Sequence, residues 1–102
     1  MKEANIKRQI RDVLKAFRIF HWVQWQGPLS KPGVVDILGL LPDGTFFAID
    51  VKGQRARKDT KTYRAQKRFL DNVNENQGIG FFAYCVEDVI DGLKLDRRVS
   101  FK

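Results

Sequence analysis

The chain has 102 residues, 43% of them hydrophobic, which suits one compact domain spanning residues 1–102 with a single core. Its 19 lysines and arginines outnumber its 12 aspartates and glutamates, and the net charge of +7 favours a polyanionic partner such as nucleic acid or an anionic membrane surface. A single cysteine excludes an intrachain disulfide and a cysteine-rich metal site. No membrane span or signal peptide is expected, so the simplest interpretation is a soluble, cytoplasmic protein.

Changes in the spacing of apolar residues predict helices and strands along the chain. In chain order, the sequence predicts a helix over 3–17, a strand over 19–26, apolar runs at 34–41 and 45–52, a polar loop over 53–62, a helix marked by residues 66–73 and ending near Gly78, a strand over 79–86 and a short helix over 87–93. This order, α-β-β-β-α-β-α, predicts an α/β fold with a mixed central sheet flanked by helices.

The two apolar runs form a predicted β-hairpin around Pro42-Asp43-Gly44, and each contains an aspartate, Asp36 or Asp50. A buried carboxylate is costly unless it is neutralised, paired, hydrogen-bonded or bound to a metal. If the turn is a three-residue loop with a left-handed glycine, the two aspartates lie opposite each other on one face of the sheet. A two-residue turn would shift the register by one and send them to opposite faces.

The expected neighbours of this pair bear on which cation could neutralise it. Lys52 shares the side of Asp50 because side chains alternate along a strand. Carboxylates, carbonyl oxygens and water suit Mg²⁺ or Mn²⁺, whereas zinc would more often use cysteine or histidine. His21 and Cys85 lie in separate segments, and we expect a packed or hydrogen-bonded strand histidine and a buried thiol.

Asp36, followed fourteen positions later by Asp50-Val51-Lys52, resembles the D...(D/E)XK core of the PD-(D/E)XK nuclease superfamily. The order of elements resembles the VRR-NUC branch of that superfamily, the virus-type replication-repair nucleases. Further positions that match this branch are Glu3 in the first helix, Gly33 before the first aspartate, Gln66 in the second helix and Gly78 after it. Two positions depart from the pattern, because Val35 rather than a proline precedes Asp36, and the middle acid is an aspartate rather than the commoner glutamate.

The resemblance implies a restriction-endonuclease-like fold and a metal-dependent endonuclease that hydrolyses phosphodiester bonds with Mg²⁺ or Mn²⁺ and uses no small-molecule cofactor. The implied metal ligands are Asp36, Asp50, the backbone carbonyl of Val51 and, less directly, Glu3. Lys52 would orient or deprotonate the attacking water. Gln66 shares a helix face with apolar residues, where an amide needs partners, and would position water, Lys52 or DNA. A buried cluster of ion pairs is the alternative for the acids and Lys52, an exposed first-turn acid for Glu3, and a satisfied structural glutamine for Gln66.

Basic residues near the proposed site predict binding to a phosphate backbone, although a solvated loop is the alternative. They are Lys31, Arg55, Arg57, Lys58 and Lys61. The resemblance and the short chain suggest a phage-type homodimer that cuts branched DNA in the manner of a Holliday-junction resolvase, with Trp22 and Trp25 as interface or core residues. The competing hypotheses are a non-catalytic nucleic-acid-binding module whose aspartates pair with lysines, and a nuclease acting on linear duplex or RNA.

Overall fold

The computed structural model of the chain describes residues 2–24, 33 and 35–98. The helices and strands within them are α1 (Glu3–Ala16), β1 (Phe20–Val23), β2 (Ile37–Leu40), β3 (Phe46–Val51), α2 (Lys61–Glu75), β4 (Ile79–Ala83), α3 (Val86–Leu93) and α4 (Leu95–Arg98). This order confirms the predicted series and adds α4 at its end. Among the described helices, none combines the length and the apolar content that crossing a lipid bilayer requires.

The described strands form a mixed sheet in the order β1-β2-β3-β4. β2 pairs with both β1 and β3 in antiparallel orientation, whereas β3 and β4 run parallel. Parallel neighbours need a crossover connection, and α2 supplies it between β3 and β4. β3 therefore lies between two neighbouring strands, which explains why nearly all of its side chains are buried. The predicted α/β architecture with a mixed sheet is confirmed.

The turn of the hairpin between β2 and β3 has the three-residue form, one of the two alternatives that the sequence left open. The amide of Leu41 donates to the carbonyl of Thr45 at 2.9 Å, and the amide of Gly44 donates back to Leu41 at 2.8 Å. Gly44 has a φ of +89°, in the left-handed region that favours glycine. The side chain of Asp43 accepts from the amide of Thr45 at 2.9 Å, which further fixes the turn. The hairpin register is thus set by the turn.

Side chains alternate along β3 and divide the interior into a layer on each face of the sheet. On one face, Ile49 and Val51 pack with apolar residues of α1, α3 and α4. On the other face, Ala48 packs with Leu70 of α2. Asp50 follows Ala48 at the strand period of two, so its carboxylate points towards α2 rather than towards α1. The sheet therefore presents an acid to a helix face that is otherwise apolar.

α2 carries recognisable signals at both of its ends. Thr60 precedes the helix, and its hydroxyl accepts from the amide of Tyr63 at 3.0 Å, as an N-cap residue does. After the helix, Gln77 adopts a left-handed φ of 70°, and the amide of Gly78 donates to the carbonyl of Val73 at 2.9 Å. These bonds satisfy terminal backbone groups and fix where the helix meets the sheet.

The chain after β4 departs from the predicted boundaries. The strand ends at Ala83 rather than at residue 86, because the amide of Tyr84 donates to Oδ2 of Asp88 at 2.8 Å and leads the chain into α3. Cys85 is exposed at the start of α3, so the prediction of a buried thiol is wrong. α3 ends at Leu93, as predicted, and Lys94 follows it with a left-handed φ of 54°.

β1 is an edge strand in the described sheet and exposes aromatic side chains. Phe20 is 65% and Trp22 is 40% exposed, so the alternative of core packing for Trp22 is wrong. The ring of His21 hydrogen-bonds through Nδ1 to the carbonyl of Ile19 at 2.8 Å, which confirms the expected hydrogen-bonded strand histidine. Trp25 lies outside the described residues.

Replacing Gly44 tests the left-handed conformation assigned to the turn. A Cβ at this position would meet nothing within 4 Å, so the cost of Gly44→Ala comes from the backbone alone. We expect a loss of about 1 kcal/mol in the free energy of unfolding for Gly44→Ala and a smaller loss for Gly44→Asn, because asparagine tolerates the left-handed region. Urea denaturation measures both values. Equal stability of the alanine variant and the wild type would contradict the assigned turn.

Candidate active site

The hairpin register brings Asp36 and Asp50 together at the end of the sheet. Ile37 pairs with Ile49, so the next step along the antiparallel ladder places Asp36 opposite Asp50. Both acids are buried, with exposed fractions of 4% and 1%. Oδ2 of Asp36 accepts from the amide of Val51 at 2.7 Å, which ties the first acid to the strand that carries the second. The predicted apposition of the two aspartates is confirmed.

Gln66 links Asp50 to Lys52. Its Nε2 donates to Oδ1 of Asp50 at 3.1 Å, and its Oε1 accepts from Nζ of Lys52 at 2.7 Å. Nζ of Lys52 also lies 3.0 Å from Oδ2 of Asp50, an ion-pair distance without hydrogen-bond alignment. The expectation that a glutamine on the inner face of α2 has polar partners is confirmed, and these partners are two of the predicted catalytic residues.

Lys7 is a member of the site that the sequence did not predict. Its Nζ lies 2.9 Å from Oδ1 of Asp36, and its side chain is 30% exposed. The helical spacing held a signal for this contact, since positions 3, 7, 10 and 14 recur every three or four residues and Ile10 and Leu14 are buried. Lys7 follows Glu3 by one helical turn, so a helix face that directs Glu3 towards the site directs Lys7 towards it as well.

An aromatic pair, also missed from the sequence, flanks Lys52. Phe82 pairs with Asp50 in the parallel ladder, and its ring stacks on Tyr63 of α2 with centroids 4.5 Å apart. Nζ of Lys52 lies 5.9 Å from the centroid of Tyr63 and 5.8 Å from that of Phe82, within range of cation–π attraction. Tyr63 precedes Gln66 by three residues and shares its helix face, so the helical period could have indicated it.

Burial is the main influence on the protonation of Asp50. Removal of its carboxylate from water, reinforced by the negative charge of Asp36, raises the pKa of Asp50 from 3.8 to about 7. The positive charge of Lys52, 3.0 Å from Oδ2, acts in the opposite direction, but it does not offset these effects. The pair of aspartates therefore retains a proton close to neutral pH when no cation is bound.

The donor atoms of the pair fit a hard divalent cation. Oδ2 of Asp50 is the buried side-chain oxygen that accepts no hydrogen bond in the part of the chain that the structure describes. The Lys52 ammonium lies 3.0 Å from this oxygen and balances part of its charge, but it leaves the oxygen without a hydrogen bond. Carboxylate oxygens are the ligands that Mg²⁺ and Mn²⁺ prefer. Asp36 and Asp50 are therefore candidate ligands. The role of the Val51 carbonyl as a further ligand stays a prediction.

Glu3 does not complete a cluster of three acids. Within residues 2–24, 33 and 35–98, no group of three or more histidine, cysteine, aspartate or glutamate side chains is placed to hold a metal ion. Glu3 is exposed and lines an open hollow of about 600 Å³ together with Arg55 and the backbone around Gly53. It lies beside the segment that follows Lys52, and a direct metal contact from Glu3 stays a prediction.

The predicted basic residues differ in how much of their charge is free. Arg57 makes a double hydrogen bond to the carboxylate of Asp59, at 3.1 and 3.0 Å. Nζ of Lys58 lies 5.6 Å from the ring centroid of Tyr84, and Arg55 lines the hollow near Glu3. Lys61 begins α2 and is exposed. Lys31 lies outside the described residues.

No family model, curated protein or solved structure matches this chain significantly. The likeness to VRR-NUC nucleases therefore stays a prediction from the residues. The chain's own side chains and their geometry are the basis for assigning its function.

The raised pKa of Asp50 predicts how stability depends on pH without metal. The stabilisation that the protonated Asp50 side chain contributes is fully present below its ordinary pKa of 3.8 and is lost as the pH rises through about 7. Asp50→Asn removes this loss, so relative to wild type it should gain on the order of 2–4 kcal/mol of unfolding free energy between about pH 4 and about pH 8. Urea denaturation in a chelating buffer measures this difference across the pH range.

Asp71→Asn is the matched control, because Asp71 forms an exposed pair with Lys67 and its side chain is 52% exposed. We expect no comparable gain with pH for this variant, since exposed pairs contribute little. A constant difference between Asp50→Asn and wild type across the pH range would contradict the protonation state assigned to the pair.

Proposed function

We propose that this chain is a divalent-metal-dependent endonuclease that hydrolyses phosphodiester bonds in DNA. The proposal is carried by the buried, facing pair Asp36 and Asp50, with Lys52 held beside it. Buried acids in apposition are destabilising unless a proton or a cation lies between them, and such arrangements are common where chemistry requires them. The net charge of +7 agrees with a polyanionic substrate.

The chain's residues have separable tasks in this reaction. Asp36 and Asp50 hold a Mg²⁺ or Mn²⁺ ion, which when bound helps to activate water and to stabilise charge on the reacting phosphate. As an ammonium, Lys52 supplies a positive charge next to Asp50 and orients the attacking water; only as a neutral amine would it deprotonate that water. Gln66 holds the ammonium of Lys52 at 2.7 Å and acts as a positioning residue. The stack of Tyr63 on Phe82 borders the same ammonium.

The finer assignment concerns the fold family and the substrate. We include a restriction-endonuclease-like fold of the VRR-NUC type, a homodimer and branched DNA in the proposal. The mixed sheet with α2 between its parallel strands agrees with that fold. Exposed Phe20 and Trp22 on the edge strand β1 offer an apolar surface for a second copy. Two copies would supply two sites for the symmetry-related strands of a junction.

A second candidate function is a non-catalytic nucleic-acid-binding module. It is favoured by one observation, namely that each aspartate already has an ammonium group close to it. Lys7 lies 2.9 Å from Asp36, and Lys52 lies 3.0 Å from Asp50. When both aspartates are ionised, such a cluster is balanced in charge without any metal, as in a buried structural network. Cleavage assays with matched variants distinguish this module from the enzyme.

We expect cleavage of DNA in Mg²⁺ or Mn²⁺, with rates lowered by at least about 100-fold in Asp50→Asn and in Lys52→Ala, because each removes a group at the reacting phosphate. Four-way, flap and linear duplex DNA and an RNA duplex are compared under single-turnover conditions. Asp71→Asn and Lys67→Ala, which alter an exposed surface pair in the same way, should cleave at the wild-type rate.

The outcomes of this assay separate the hypotheses. Absence of cleavage by wild type on every substrate would overturn the enzyme and leave the binding module. Equal loss in the surface controls would show that the effect is not specific to the site. Preference for linear duplex or for RNA would keep the nuclease and remove the assignment to branched DNA.

The salt dependence of DNA binding tests whether the basic residues of the loop over 53–62 contact DNA phosphates. Replacing Lys58 or Arg55 with glutamine should lower the slope of log affinity against log salt by about 0.9, because one fewer counterion is released. Arg57→Gln should change the slope less, since Asp59 already neutralises this guanidinium. Fluorescence anisotropy at several salt concentrations, in EDTA to prevent cleavage, measures the slopes. A slope that changes most for Arg57→Gln would contradict this assignment.

A further inference from the structure

The two lysines of the site are held very differently. Lys52 follows β3, donates to Gln66 at 2.7 Å, lies near two aromatic rings, and has a side chain only 14% exposed. Lys7 extends from α1 on the other side of the sheet, and its side chain is 30% exposed. The ammonium of Lys52 is thus enclosed by neighbours that fix its place, whereas that of Lys7 is in partial contact with water.

Lys7 occupies the oxygen of Asp36 that a metal would use. Oδ2 of Asp36 accepts from the amide of Val51, a backbone group that cannot leave without breaking the end of β3. Oδ1 is the oxygen that Lys7 contacts. A divalent cation at the carboxylate pair would therefore meet an ammonium at the same carboxylate, and like charges at contact distance repel strongly when partly buried.

The long side chain of Lys7 allows its ammonium to move away from an incoming cation. Its four methylenes can remain against the protein surface while the ammonium turns into water, as lysines at apolar boundaries do. The same movement is not open to Lys52 without losing its bond to Gln66. When a divalent cation binds Asp36, the ammonium of Lys7 is therefore the group that is displaced.

We propose that Lys7 is an internal counter-ion that competes with the divalent cation for Asp36 and thereby sets the cation affinity of the site. The inference rests on the proposed metal-dependent function and adds a regulatory residue to it. In the absence of metal, Lys7 balances the charge of the buried acid. When metal binds, Lys7 is released from Asp36, so the site fills at a higher metal concentration than the two acids alone would require.

Calorimetric titration with Mn²⁺, without nucleic acid, tests the inference. We expect Lys7→Met, which keeps the stem but removes the charge, to bind Mn²⁺ at least about tenfold more tightly than wild type. Lys7→Arg, which keeps the charge, should bind within about threefold of wild type. Lys15→Met makes the same change in charge at an exposed position of α1 and should bind like wild type. Asp36→Asn should bind little or no Mn²⁺.

The results distinguish failure of the inference from failure of the proposed function. Binding by wild type with equal or weaker binding by Lys7→Met would overturn the role of Lys7 and leave the metal site. An equal gain in Lys15→Met would also overturn it, since the effect would then follow net charge alone. No Asp36-dependent binding in any variant would overturn the metal site and, with it, the role of Lys7.

A measurement on the wild-type chain keeps the test valid if Lys7→Met does not fold. The ammonium signal of Lys7, identified by its loss in Lys7→Arg, is followed by ¹H–¹⁵N spectroscopy while Mg²⁺ is added. We expect proton exchange of this ammonium with water to accelerate several-fold as the site fills. The ammonium of Lys67, which pairs with Asp71 on the surface, should not change. Unchanged exchange of Lys7 at saturating Mg²⁺ would overturn the inference.

Discussion

Two carboxylates face each other inside a sheet, and the need to compensate their charge accounts for most of the polar contacts around them. Asp36 accepts a hydrogen bond from the backbone amide of Val51 and forms an ion pair with the ammonium of Lys7. Asp50 accepts a hydrogen bond from the side-chain amide of Gln66 and forms an ion pair with Lys52. These partners come from α1, α2 and the end of β3, so the elements that build the core also supply the site. A change in how any of them packs would alter the balance of charge at the pair.

The sequence predicted the acidic centre well because that part of the problem is local. A proline, an aspartate and a glycine predict a turn and leave two registers open, and the three-residue form of the turn places Asp36 opposite Asp50. The same period-two alternation placed Lys52 beside the second acid. Gln66 could be identified because a polar residue on an apolar helix stripe needs partners. None of these inferences requires knowledge of how distant elements pack.

The parts that escaped prediction depend on packing between elements far apart in sequence. Lys7 reaches Asp36 only because α1 lies across the sheet at a particular angle, and no local pattern encodes that angle. Phe82 meets Tyr63 because β4 pairs parallel to β3 in one register. Cys85 is exposed because a side chain of α3 ends the preceding strand early, although its neighbours in sequence are apolar.

The side-chain amide of Gln66 bridges an acceptor and a donor of the site in one orientation. An amide carries a donor at one end and an acceptor at the other, and here the donor meets the carboxylate of Asp50 while the acceptor meets the ammonium of Lys52. A glutamate of the same shape could still receive the lysine but would turn a second oxygen towards the aspartate. Exchange of one nitrogen for oxygen would then convert a polar bridge into a third acid, and the difference between a two-acid and a three-acid centre in this fold lies within a single isosteric substitution.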